Sequence, residues 1–268
     1  MPSKVQFGIK NLHYAVMQSD GSYAAPVAVN GTVSINLTPV GEMEPFYADN
    51  VLYYQSIGNQ GYSGDIEIAR VPDAMYTDIF GVSTDGNGIQ TEDATAEPKA
   101  VALMFEIDGD VAKRCYVLYN VTLGRPPVNS STINESKTPQ TVSIDLTAAP
   151  LASGVVLAKT GDNTFESVKT LWYTLVYENG NIIGVKKGTV GAGSFSVQTS
   201  LSQGDTAYYK INDTLPAIGE EYSDLVGWTS VTVALGGGIT GTGDEGDTVG
   251  VITVDSDGKV NAVGETVL

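Results

Sequence analysis

Basic side chains are scarce in this chain. Fourteen Lys and Arg stand against 31 Asp and Glu, for a formal net charge of -17 over 268 residues. Binding a phosphate backbone takes clustered cations, and the only adjacent basic pairs are Lys113-Arg114 and Lys186-Lys187. The balance therefore points away from a protein that reads DNA or RNA. Cys and His occur once each, at Cys115 and His13. One thiol cannot close an internal disulfide, and one Cys with one His cannot build the usual zinc site. Cys115 lies in an alternating strand pattern and reads as a packed, inert thiol. Long apolar runs are missing too: nothing approaches 18 residues, and Met1-Pro-Ser-Lys-Val-Gln6 has no apolar signal core. The expectation is synthesis in a cytoplasm, with no membrane partner. Disorder is the one class excluded by what is present, since 42% of the residues are hydrophobic, enough to bury a core.

Strand signals dominate. Thr32–Thr38, Asp65–Ala69, Val101–Ile107, Cys115–Val121 and Thr141–Thr147 are rich in β-branched and aromatic residues and mostly alternate. Asp108-Gly109-Asp110 reads as a short hairpin turn between the third and fourth. One helix is expected over Val71–Phe80: Pro72 suits its first turn, Val71, Met75 and Ile79 share a face, and Gly81 stops it. Between Gly41 and Gly64 runs a long segment without clear periodicity, carrying Phe46, Tyr47, Tyr53, Tyr54 and Tyr62. Loops of that length are uncommon unless functional or disordered, and its aromatics suit either a protein interface or a loop folded back on its own core. Gly86–Ala100 is polar, acidic and expected to be solvated.

Composition shifts after about residue 150, and Lys159–Asn163 reads as a linker. A second β unit follows. Leu171–Tyr177 and Ile182–Lys187 read as a hairpin across Asn179-Gly180, and Ser194–Thr199, Ala207–Ile211, Val231–Leu235 and Val249–Val254 add strands. A helix from Asn163, with a capping-box match to Glu166, is the alternative to the first of these; Thr170, Thr174 and Val176 favour strand. The tail reads as a hairpin around Asp255-Ser-Asp-Gly258.

Catalytic and ligand motifs dissolve on inspection. Gly241-Thr-Gly-Asp-Glu-Gly246 matches G-x-G-x-x-G, but that fingerprint needs a helix N-terminus to hold pyrophosphate; here Asp244, Glu245 and Asp247 would repel it and a strand follows. Asp255-Ser-Asp-Gly258 lacks the further oxygen ligands of a calcium loop. His13, which could pair with Asp20, has no Ser nucleophile in a Gly-x-Ser-x-Gly elbow. Paired carboxylates for glycoside hydrolysis are a spatial feature, and nothing in the sequence singles out two. No catalytic, cofactor or metal residue is therefore assigned, and the chain reads as a non-enzyme.

Read as a string, the first 160 residues resemble a specific family. The segments are Gly8–Ala15, Asp20-Gly-Ser-Tyr23, Val33–Leu37, Phe46-Tyr-Ala-Asp-Asn50, Gly61–Asp73, Leu103–Gly109, Tyr119-Asn-Val121, Arg125-Pro126, Ser130-Ser-Thr132 and Pro139-Gln-Thr141. In this order and spacing they resemble the phi13-type major tail proteins of long-tailed bacteriophages. The resemblance implies a mainly β fold: a β-sandwich with one flanking helix, six copies of which form a ring whose inner strands close into a barrel. Rings would stack through an extended loop, here the Gly41–Gly64 segment with Phe46, Tyr47, Asp49, Asn50, Tyr53, Tyr54 and Tyr62 as inter-subunit residues. It also implies a place in the virion tail tube, contact with a tape measure protein and a tail terminator, and phage DNA passing through the lumen unbound. Residues 1–164 would form this domain, with the boundary between about 155 and 185. Residues 165–268 depart from the short pattern and weakly resemble an immunoglobulin-like module of bacterial surface proteins, a second β-sandwich-like domain decorating the exterior. Adhesion to host-surface glycans, bracing between subunits and no role at all stay open for it. The rival readings are another phage structural protein, such as a capsid decoration or tail terminator subunit, a secreted carbohydrate-binding β-sandwich protein, and a two-carboxylate hydrolase.

Overall fold

A computed structural model describes residues 8–110, 112–132, 139–178 and 180–268. The chain is mainly β and divides into two compact units, Met1–Lys159 and Thr160–Leu268.

In the first unit the strands are β1 (Gly8–Val16), β2 (Val27–Ala28), β3 (Thr32–Val40), β4 (Met43–Ala48), β5 (Val51–Ile57), β6 (Gly61–Ile68), β7 (Ser83–Thr84), β8 (Gln90–Thr91), β9 (Val101–Asp108), β10 (Cys115–Leu123), β11 (Val142–Ala148) and β12 (Leu157–Lys159), with helix α1 (Asp73–Asp78) between β6 and β7. The main sheet runs β2-β1-β9-β10-β11-β6-β3, and β12 pairs with the first half of β10. The patterns explain the layers. Along β11, Ile144, Leu146 and Ala148 are buried while Ser143, Asp145 and Thr147 face out, the alternation of a half-buried strand. Along β9 every residue from Val101 to Glu106 is buried, which is why that stretch reads as a continuous apolar run. The sheet wraps one core of Leu12, Tyr14, Ile66, Leu103, Leu118, Val121, Ile144 and their neighbours, with Val71, Met75, Ile79 and Phe80 of the α1 region packed into it.

The helix is shorter than expected. Pro72 is extended (φ -65°, ψ 144°) and caps it without entering its first turn, and Gly81, at φ +70°, ends the segment. The Tyr14 hydroxyl donates to Asp78 at 2.8 Å and ties α1 to β1; burial, and then this bond, push the phenol's pKa upward. The Asp108-Gly109-Asp110 turn is also not the tight one expected. The connection runs on to Arg114, because the Asp110 carboxylate accepts from the amides of Ala112 (3.0 Å) and Arg114 (3.4 Å). His13 does not pair with Asp20: its Nδ1 lies 2.9 Å from the Asn11 carbonyl, while Asp20 accepts from the Ser22 amide and hydroxyl. Cys115 is buried.

The second unit contains helix α2 (Glu166–Leu171), β13 (Val185–Gly191), β14 (Ser194–Thr199), β15 (Thr206–Ile211), a 3-10 turn (Tyr222–Asp224), β16 (Thr229–Thr232), β17 (Gly238–Gly241), β18 (Thr248–Val254) and β19 (Val260–Val267). A three-stranded sheet, β13-β14-β17, and a four-stranded one, β16-β15-β18-β19, share a core: Val185, Phe195, Val197 and Ile239 from the first meet Ala207, Val249, Val251 and Ala262 from the second. Here the helix alternative wins. Leu171–Tyr177 is not a strand and forms no hairpin with the following segment; Asn179 of the expected turn lies outside the described residues. Val168, Leu171 and Trp172 are spaced to bury one face, and Thr170 and Thr174 bond the carbonyls of Glu166 and Leu171. The expected cap is wrong, since Phe165 occupies the N-cap with no side-chain bond. The Gly241–Gly246 stretch is a turn leading into strand β18. The tail hairpin forms as read, with Asp255 accepting from the amides of Asp257 (3.0 Å) and Lys259 (2.9 Å).

Candidate functional site: an exposed aromatic hairpin

Strands β3 and β6 pair from Thr32 and Ile68 to Val40 and Gly61. The two chains then continue past the end of the sheet, joined by Gln60 N to Val40 O (2.8 Å) and Gly58 N to Glu42 O (3.2 Å). Gly41 is required at this neck, because a Cβ there would lie 1.9 Å from the Gly58 carbonyl oxygen. Beyond the neck, β4 and β5 pair only with each other. Asp49 and Asn50 form the two-residue tip with φ of 50° and 64°, the pair of left-handed residues that a type I′ turn demands. Aspartate and asparagine tolerate that conformation through local hydrogen bonding.

The segment expected to be an irregular loop is thus a β-hairpin. Its period is hidden by a bulge: Phe46 faces Tyr54 and Tyr47 faces Leu52, leaving Tyr53 as the extra residue. Tyr53 meets Phe46 edge to face, with ring centroids 6.5 Å apart. The aromatics do not fold back on the core. Phe46 is 59% exposed, Tyr47 65%, Tyr53 73% and Tyr54 62%, and the adjacent Val51 and Leu52 are 59% and 51% exposed. Tyr62 is the exception among the expected inter-subunit residues. It lies in β6, paired with Pro39 and Ala148, and packs against the core of the first unit.

A second surface is hidden from the sequence because it depends on register. On the outward face of β3, β6 and β11, three cross-strand rows stack: Thr38, Ser63 and Thr147; Asn36, Asp65 and Asp145; Ser34, Glu67 and Ser143. All nine are small, polar or acidic, and none is basic. Asn36 Nδ2 donates to both carboxylate oxygens of Asp65 (3.3 and 3.2 Å), and the hydroxyls of Ser34 and Thr141 donate to Glu67. Asp65 and Asp145 sit directly opposite each other, an arrangement that destabilises a sheet and that stability alone would not favour.

No family model matches the chain, and no curated protein does.

Among the described residues no three His, Cys, Asp or Glu side chains converge as a metal site would require, and no helix is long and apolar enough to cross a membrane. The second unit has an open polar cleft of about 850 Å³ along α2, β13 and β19. Two ion pairs involve its lining residues, Lys169 with Glu166 at 3.4 Å and Lys187 with Glu245 at 3.3 Å. In the first unit Lys10 bridges Glu106 (3.2 Å) and Asp108 (3.0 Å). Hydrogen bonds to Asp108 and then Glu106 raise the pKa of Lys10, and the bond from Lys10 lowers that of Asp108.

Proposed function

We propose that the protein is a structural subunit of a bacteriophage tail tube, which assembles with copies of itself into stacked hexameric rings and performs no catalysis. The projecting hairpin carries this reading. A two-stranded ribbon is marginally stable alone in water, and one with six large apolar side chains at least half exposed needs a partner to cover them. Its position as an outgrowth of β3 and β6 agrees with the stacking loop that the resemblance implies at the same residues. The nine-residue polar face on β3, β6 and β11 fits a lumen wall, since a wall of hydroxyls and carboxylates repels phosphate where cations would hold it. On this reading the partners are further copies, a tape measure protein and a tail terminator, and the protein resides in the virion tail. The second unit, with its sandwich of three and four strands, is an immunoglobulin-like decoration on the exterior.

The electrostatics supply a test. Residues 1–159 hold 17 acidic and 9 basic side chains (net -8), and residues 160–268 hold 14 and 5 (net -9). Copies therefore repel, and at about 0.15 M salt screening cuts the reach of that repulsion to about 8 Å. Added salt should lower the protein concentration at which light scattering reports assembly, while duplex DNA mixed with the protein stays unbound at moderate salt. Polymers that dissolve as salt rises, or subunits that retain DNA, would contradict both the apolar interface and the conduit.

A further inference from the structure

The open cleft of the second unit lies where the edges of its two sheets meet. β13 and β19 are terminal strands, one in each sheet. Just before β13 the chain bonds to β19, Ile183 N to Val263 O at 2.7 Å and Val263 N to Asn181 O at 3.0 Å. Past that junction residues 185–187 and 265–267 both border the cleft, together with α2. Ser167, buried in α2, accepts from the Val185 amide at 2.7 Å, so helix and strand are fixed to each other and this wall is preformed. The volume of about 850 Å³ lies within the about 300–1,000 Å³ of small-molecule sites.

Charge and bonding capacity narrow the occupant. Three of the unit's five basic side chains, Lys169, Lys186 and Lys187, line the cleft, against three of its 14 acidic ones, Asp162, Glu166 and Glu265. The lining is therefore neutral within a unit of net charge -9, which favours neither a polyanion nor a polycation. Among the described residues no hydrogen bond or ion pair engages the side chains of Lys186, Gln198, Glu265 and Thr266. They supply a donor, an acceptor and two groups that do both. Phe165 adds one half-buried ring. Its atoms approach Gly184 so closely that a Cβ there would lie 2.7 Å from them, although the Gly184 backbone is outside the left-handed region that demands glycine. Glycine at 184 thus serves to seat the ring. A peptide added to the edge is disfavoured, since β13 carries Lys186-Lys187 and a bulge between Lys187 and Val190, two devices that keep an edge strand from pairing.

We infer that this cleft binds a neutral oligosaccharide. Sugar hydroxyls both donate and accept, and match a mixed set of amide, hydroxyl, ammonium and carboxylate groups; the C–H face of a sugar ring covers the apolar ring of Phe165. The inference goes beyond the tail tube reading and does not depend on it.

The test applies the labelled full-length protein to a printed array carrying oligomers of glucose, galactose, mannose and N-acetylglucosamine, with galacturonate oligomers and extended Thr-Val peptides beside them, and then titrates the strongest neutral oligomer by calorimetry. Binding to at least one neutral series is expected, with an affinity unchanged as salt rises, because no ligand charge is there to screen. Phe165→Ala should weaken it at least tenfold. That ring also packs on Gly184, so Gln198→Ala with Thr266→Ala is the second variant: neither side chain is buried or bonded, thermal unfolding should stay unchanged, and affinity should again fall at least tenfold. An array silent for every neutral series, a salt-sensitive preference for galacturonate, capture of the peptides alone, or undiminished binding by the Gln198/Thr266 variant would each overturn the inference. All four results leave the self-assembly reading standing.

Discussion

Replacing Met43–Ile57 by an Asn-Gly turn between Glu42 and Gly58 should leave a folded monomer that no longer assembles. The two flanking residues are already hydrogen-bonded across the ribbon at 3.2 Å, so a two-residue turn can close the shortened hairpin without disturbing β3 or β6. Interface aromatics at the centre of a contact commonly cost about 2 kcal/mol or more each when truncated. Losing two of the four would therefore weaken association roughly a thousandfold, and losing all of them removes it at any practical concentration. The milder pair Phe46→Ala with Tyr47→Ala should show most of this effect. Sedimentation velocity on intact and shortened chains reads the outcome directly. Unchanged assembly after the deletion would move the contact elsewhere on the molecule.

The second large effect is expected within the sheet that carries the arm. Gly64 sits in β6 between β3 and β11, where a Cβ would lie 1.8 Å from the Asn36 carbonyl oxygen and 2.8 Å from its carbon. Backbone atoms cannot move aside as a flexible side chain can, so Gly64→Ala must push β3 away from β6 or distort both strands. A cost of about 3 kcal/mol or more is expected from a total stability of about 5–15, with Tm lowered by roughly 6–12 °C. Gly86→Ala is the control: a Cβ there meets nothing within 4 Å. Calorimetry that finds the two variants alike would show that the close approach at Gly64 is not a constraint.

The contrast between these glycines shows what a sequence can and cannot disclose. Where one strand face is buried the alternation is explicit, as in β11, and where both are buried a continuous apolar run marks the strand, as in β9; β3, β6 and β10 also lie close to where the pattern puts them. The arm is legible as a segment rich in aromatics, but neither their exposure nor the hairpin is, since the same residues suit an interface and a loop folded back on its core. The bulge at Tyr53 shifts the period in mid-strand, and Asp49-Asn50 lacks the Gly that usually announces a type I′ turn. Proximity in sequence groups Tyr62 with the arm, although the ribbon's neck ends at Gly61 and the next residues re-enter the sheet. In the second unit, β-branched propensity loses to tertiary burial: Val168, Leu171 and Trp172 bury one helical face, and the threonine hydroxyls find backbone partners. Strand β17 leaves no signal because Gly238-Ile-Thr-Gly241 is half glycine, and its neighbours rather than its composition define it. The polar face of β3, β6 and β11 needs the register, since Asp65 and Asp145 are 80 positions apart in sequence and opposite one another in the sheet.

Negative-stain electron microscopy of the purified full-length protein, concentrated at raised salt, tests the central claim most directly. The account predicts six-fold rings and hollow tubes built from stacked rings, with the second unit as knobs along the outside. Fields of isolated, compact particles under those conditions, with the protein folded by calorimetry, would contradict it.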